Sequence, residues 1–177
     1  MKTAKRLKYI EEYYFSRKLK EVNSLISAGK PVINLGIGSP DLMPPKSVIN
    51  NLIDASNLPT AHKYQSYKGI EPLRDAIRDF YFNNYGVKLD SDNQILPLIG
   101  SKEGIMHISL AFLDVGDEVL IPNPGYPTYT SVTKIVGAKP VYYDLNEKNS
   151  WLPDIEKLNQ LDLSKVKICL LYTSDAA

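Results

Sequence analysis

The chain has 177 residues, 21 basic against 20 acidic side chains, a formal charge of +1 and 44% hydrophobic residues. This balance fits a folded globular domain and supplies no basic stripe for nucleic acid. No apolar run approaches the roughly 20 residues that cross a bilayer. The basic start MKTAKRLKYI runs into Glu11 and Glu12 without an apolar signal segment, so no membrane partner and a cytoplasmic location are expected. Cys169 is the single cysteine, which leaves no internal disulfide, and with only His62 and His107 beside it no zinc set is expected.

From Lys5 to Ala28 the residues Leu7, Ile10, Tyr14, Val22, Leu25 and Ile26 stand near helical spacing, and Gly29 with Pro31 supplies a stop. A short β run is expected at Val32 to Leu35, followed by a loop rich in glycine and proline and a helix from Ser47 to Ala55. HKYQSYKG has no periodicity, whereas IEPLRDAIRDFYFNNYG places Leu73, Ile77 and Phe80 on one helical face and ends at Gly86.

The pattern then alternates. Strands are expected at Gln94 to Ile99, Glu118 to Ile121, Lys139 to Tyr143 and Val166 to Leu171, and helices at Lys102 to Leu113 and Pro127 to Val136. Strands separated by helices of about this length predict parallel βαβ units and an α/β fold. Pro97 counts against the first of these strands, since proline removes a ladder donor.

Three stretches carry candidate chemistry. In IGSKEG a strand runs through Gly100 into a helix, with Ser101 expected at the N-cap and the first-turn N–H groups forming an anion cradle. Lys102 is placed unfavourably against the positive end of that helix. A bound phosphate would offset it; alternatively Ser101 is only a cap and Glu103 balances the lysine. INLGIGSPD holds Gly36 and Gly38 but lacks the later glycine of a dinucleotide fingerprint, and Pro40 stands where the helix should open, so a Rossmann site is rejected. Those glycines either let backbone approach a ligand or belong to an ordinary loop. VLIPNPGYPTY places Tyr126 at the carboxyl end of a parallel strand, where open α/β sheets bind ligands; its ring either lies against a flat cofactor or packs at a strand-helix corner.

Together INLGIGSPD, KYQSYKGIEPLRDAI, GSKEGIMHISLAFLDVGDEVLIPNPGYPTY and VGAKPVYYDL resemble successive blocks of the class I/II aminotransferases, the fold type I pyridoxal phosphate enzymes, in family order and spacing. The resemblance implies an N-terminal arm with part of the small domain at residues 1–45. The first part of the large, cofactor-binding domain would follow at 46–168, its mostly parallel sheet lying between helices. It also implies that Ser101 and Lys102 hold the cofactor phosphate, that Tyr126 stacks on the pyridine ring, and that Gly38 lies near the substrate carboxylate. Tyr64, five residues before Gly69, would reach the phosphate of the neighbouring subunit in a homodimer.

The implied activity is transfer of an amino group from an amino acid to a 2-oxo acid with pyridoxal 5'-phosphate. A fold type I lyase or synthase and a non-catalytic regulatory fragment are the alternatives. In the family the Schiff-base lysine lies downstream of residue 177, and no lysine here matches its motif. The chain is therefore expected to be a fragment that does not transaminate alone. The ending CLLYTSDAA resembles a translated sequencing-library adapter, so residues 169–177 are expected to be a non-native tail.

Overall fold

The computed structural model describes residues 2–9, 12, 14–36, 38 and 40–172. It divides into two compact units, one of Tyr13–Pro97 and one of Met1–Glu12 with Leu98–Ala177.

The first unit carries three helices, α1 (Tyr14–Ser27), α2 (Lys46–Ser56) and α3 (Glu71–Tyr85). Helix α3 opens with proline in its first turn and stops at Gly86, whose φ of 67° is left-handed and whose N–H bonds back to the Phe82 carbonyl. The expected continuous helix from Lys5 to Ala28 is not formed. Lys5–Tyr9 makes a short 3-10 helix in the other unit instead. Ile10, Glu11 and Tyr13 lie outside the described residues.

The strand expected at Val32 to Leu35 is also absent. Ile33 and Leu35 are exposed, and the Asn34 side chain accepts the Gly36 N–H at 2.9 Å, turning the chain out of an extended path. Gln94 to Ile99 likewise forms no strand. Pro97 removes a donor from it, no described strand pairs with it, and Leu96 and Ile99 stay exposed.

The second unit holds α4 (Ser101–Phe112), β1 (Glu118–Asn123), α5 (Pro127–Ile135), β2 (Lys139–Asp144), α6 (Ile155–Leu158) and β3 (Val166–Cys169). The three strands are parallel in the order β2-β1-β3, with Glu118 opposite Lys139 and Asn123 opposite Asp144. Central β1 is buried from Val119 to Pro122, as a parallel strand covered on both faces must be. Val119 and Ile121 pack with Leu113, Tyr129 and Ala138. Each large apolar side chain buried this way contributes roughly 1.5–3 kcal/mol.

Two tyrosines tie down the chain beyond β3. Tyr143 donates its hydroxyl proton to the Leu170 carbonyl at 2.8 Å, and Tyr129 donates to that of Leu171 at 3.0 Å. The segment from Cys169 onward thus begins inside the sheet, where Leu170 N–H also bonds to the Leu120 carbonyl. Residues 173–177 lie outside the described residues. No helix among the described residues is long and apolar enough to cross a membrane.

Candidate cofactor site

The strand β1 ends in a tight reversal. Asn123-Pro124 is a cis peptide bond, and a Cβ on Gly125 would collide with the Pro122 carbonyl oxygen, so only glycine fits there. The reversal leaves Tyr126 at the N-cap of α5, with Pro127 in the helix's first turn. At the sheet's carboxyl edge the Asn123 amide donates to the Asp144 carboxylate at 2.8 Å, linking the ends of β1 and β2.

Helix α4 begins beside this edge. Its N-cap is Gly100, not Ser101 as expected, and no side chain caps it. Ser101 is the first helical residue, so its N–H and that of Lys102 belong to the turn that has no intrahelical acceptors. The Glu103 carboxylate accepts the Ile99 N–H at 2.6 Å, closing the entry to the helix in place of a side-chain N-cap. Glu103 does not neutralise Lys102 through an ion pair; its other oxygen lies 4.0 Å from His107 Nε2.

Lys102 turns instead toward Tyr126, its ammonium 5.5 Å from the ring centroid. The Tyr126 phenol is made more acidic than usual, first by a hydrogen bond from Thr128 and then by Lys102. Its ring meets Tyr129 edge-on, with centroids 5.6 Å apart and planes at 90°. A packed tyrosine therefore backs the one that faces outward.

Ile99, Gly100, Ser101, Lys102, Glu103 and Tyr126 line one open concavity of about 390 Å³. It offers an aromatic face, a hydroxyl, a helix N-terminus and an ammonium, a donor set suited to a planar ligand bearing an anionic group. A side chain at Gly100 would meet open space, so the entrance to the turn is uncrowded.

Ser101, Lys102 and Tyr126 are brought together in this way. Tyr64 and Gly38 belong to the other unit, where both are exposed; Tyr64 projects fully from the segment between α2 and α3. Sequence reasoning missed Thr128 and the role of Glu103. The signal for Thr128 was its position two residues after Tyr126, in the first turn of α5.

The model for aminotransferase class I and II matches residues 30–174. The chain belongs to that family, whose enzymes depend on pyridoxal phosphate. Among its relatives, the LL-diaminopimelate aminotransferase of Dehalococcoides mccartyi is 41% identical over 168 residues, covering 95% of this chain and 43% of the relative. That of Halothermothrix orenii is 39% identical over the same length and coverage. The apo structure of BacF from Bacillus subtilis superposes with a TM-score of 0.87 at 34% identity, covering 97% of this chain and 44% of that one. The aspartate aminotransferase of Rhizobium meliloti gives 0.88 at 29% identity, covering 97% and 42%. The chain thus spans less than half the length of each of these relatives.

Proposed function

We propose that this chain supplies the cofactor cradle of a pyridoxal phosphate-dependent aminotransferase that acts on LL-diaminopimelate and a 2-oxo acid. The observation that carries this is the convergence of the first turn of α4 and the Tyr126 ring on one concavity, in a chain of this family. The diaminopimelate assignment rests on the named relatives at about 40% identity.

In this reading the Ser101 hydroxyl and the N–H groups of Ser101 and Lys102 hold the cofactor phosphate, and the Tyr126 ring supports the pyridine ring. When bound, pyridoxal phosphate supplies a carbonyl that takes up the amino group and a ring that spreads the charge left at Cα. Tyr129, set edge-on, stops the Tyr126 ring from tilting away. The Thr128 hydrogen bond and the Lys102 ammonium stabilise negative charge at the Tyr126 oxygen, so the phenol O–H is a stronger donor at the mouth of the site. Gly38 leaves its backbone open to the substrate carboxylate, with no atom near its missing Cβ. Tyr64 reaches the phosphate of the neighbouring subunit in a homodimer.

Residues 46–168 form the first part of the cofactor-binding domain, residues 1–45 the arm and part of the small domain, and the enzyme works in the cytoplasm. The test is amino transfer from LL-diaminopimelate to 2-oxoglutarate by the full-length protein loaded with pyridoxal phosphate. Turnover that exceeds that with aspartate or alanine supports the reading. Loaded protein that transfers from those amino acids and not from LL-diaminopimelate contradicts the substrate, and absence of transfer from all three contradicts the reaction.

A further inference from the structure

Arg74 is a buried charged side chain on α3, and its guanidinium reaches out of that helix to Gly69, Ser91 and Asp92. Its Nη1 donates to the Gly69 carbonyl at 2.5 Å, its Nε to the Ser91 carbonyl at 2.9 Å and its Nη2 to the Asp92 carboxylate at 3.0 Å. The Arg74 side chain is 9% exposed, whereas that of its acidic partner is 70% exposed. Burying a cation against a solvated carboxylate gains little stability over an apolar residue of the same size. What the planar fork does gain is geometry, since three fixed donors hold two loops in one relation to the helix.

Both loops are rigid where the fork meets them. Asp90 closes the 90–94 turn on itself, accepting the Asp92 N–H at 2.9 Å and the Asn93 side-chain amide at 2.7 Å, while its own N–H donates to Gln94 Oε1 at 2.8 Å. The other loop turns at Gly69, whose φ of 79° is left-handed and whose N–H bonds to the Ser66 carbonyl at 2.9 Å. A Cβ there would also press on Pro97 at 3.0 Å. The Gln65 side chain donates to the carbonyls of Lys63 and Thr60, on the other side of Tyr64. Lys68 adds a second strap, from its ammonium to the Asp92 carbonyl at 3.2 Å.

We propose that Arg74 is the positioning residue for Tyr64: it fastens the Tyr64–Gly69 turn to the 90–94 platform, so that the exposed phenol is presented in one place to an anionic group on a second copy of the chain. This rests on the reading of Tyr64 given above. The fork holds the Gly69 end while Gln65 holds the Lys63 end, so the free tyrosine is a rigid projection.

The test uses the full chain with two probes that lack an aldehyde and so cannot react with lysines, pyridoxamine 5'-phosphate and unphosphorylated pyridoxamine, titrated by ligand fluorescence. R74M is expected to weaken the phosphorylated probe about tenfold, the scale of one hydrogen bond to a charged group, and to leave pyridoxamine unchanged within twofold. In a Tyr64→Phe background the same substitution is expected to add nothing. R74K, which keeps the charge without the fork, is expected to behave like R74M and covers the case in which R74M fails to fold. Amide exchange in residues 64–69 should rise in both variants while α3 keeps its protection.

Equal weakening of both probes, or a full effect of R74M or R74K persisting in the Tyr64→Phe background, overturns the proposal as a merely structural effect. If Tyr64→Phe leaves the phosphorylated probe unaffected while Tyr126→Ala weakens it, the role of Tyr64 and this proposal fail and the cradle stands. If Tyr126→Ala has no effect either, the cradle itself fails.

Discussion

The Lys102 ammonium and the Tyr126 ring face each other at 5.5 Å, joining the first turn of α4 to the N-cap of α5. The pair sets a cation at a helix N-terminus, where the backbone repels it, against a ring face worth about 0.5–1 kcal/mol for an exposed pair.

The pairing is readable in the ionisation of Tyr126. The Thr128 hydrogen bond is the largest single cause of its lowered pKa, and Lys102 adds a hydrogen bond and its charge. Thr128→Val and Lys102→Met should therefore each raise the Tyr126 pKa, moving it back toward the ordinary tyrosine value. Tyrosinate absorbance, assigned to Tyr126 by difference from Tyr126→Phe, checks this, and unchanged titration in both variants would show that neither contact exists.

Glycines 125 and 104 separate two kinds of crowding. A Cβ at Gly125 meets the Pro122 backbone, which cannot give, whereas one at Gly104 meets only the end of the Leu98 side chain, which is partly exposed and free to turn. Gly125→Ala should destabilise the protein by about 2–3 kcal/mol. Gly104→Ala, in mid-helix, should cost less than about 1 kcal/mol because alanine's helical preference offsets the contact. Urea unfolding of the two variants gives the comparison, and equal costs would contradict the tight reversal after β1.

Tyr143 sets an alkaline limit. Burial pushes its pKa up to about 12, against about 10 in an unfolded chain. The neutral form is the one the fold holds, so its contribution is complete below pH 10 and is lost as pH rises from 10 toward 12. Tyr143→Phe should remove that part of the pH dependence and cost about 1 kcal/mol at neutral pH through the lost bond to Leu170. Stability curves that stay parallel across this range would contradict it.

Much of the second unit was legible in the sequence. The helices expected at Lys102 to Leu113 and Pro127 to Val136 form within a residue of those bounds, because apolar periodicity and Gly or Pro punctuation act locally. Parallel pairing of β1 with β2 followed from their βαβ spacing. The stretches around Ile33 and Pro97 were not legible, since a strand exists only if another strand offers its ladder, and composition does not report that. The N-cap moved from Ser101 to Gly100 for a related reason: Glu103 reaches back to Ile99 and closes the turn, a contact that depends on the path of the chain before the helix. Tyr126 and Lys102 were placed at one site by resemblance to a family. Arg74 was invisible, because an arginine on an amphipathic helix reads as a solvated residue until two loops are seen to close over it.

The central claim is that the first turn of α4 and the Tyr126 ring form a pyridoxal phosphate cradle. Its most direct test is equilibrium titration of the chain with pyridoxamine 5'-phosphate, followed by the induced circular dichroism of the ligand. The account predicts saturable binding that falls at least tenfold in both Tyr126→Ala and Ser101→Ala, one substitution removing the ring support and the other a phosphate donor. Absence of saturable binding, or binding that neither substitution changes, would contradict it.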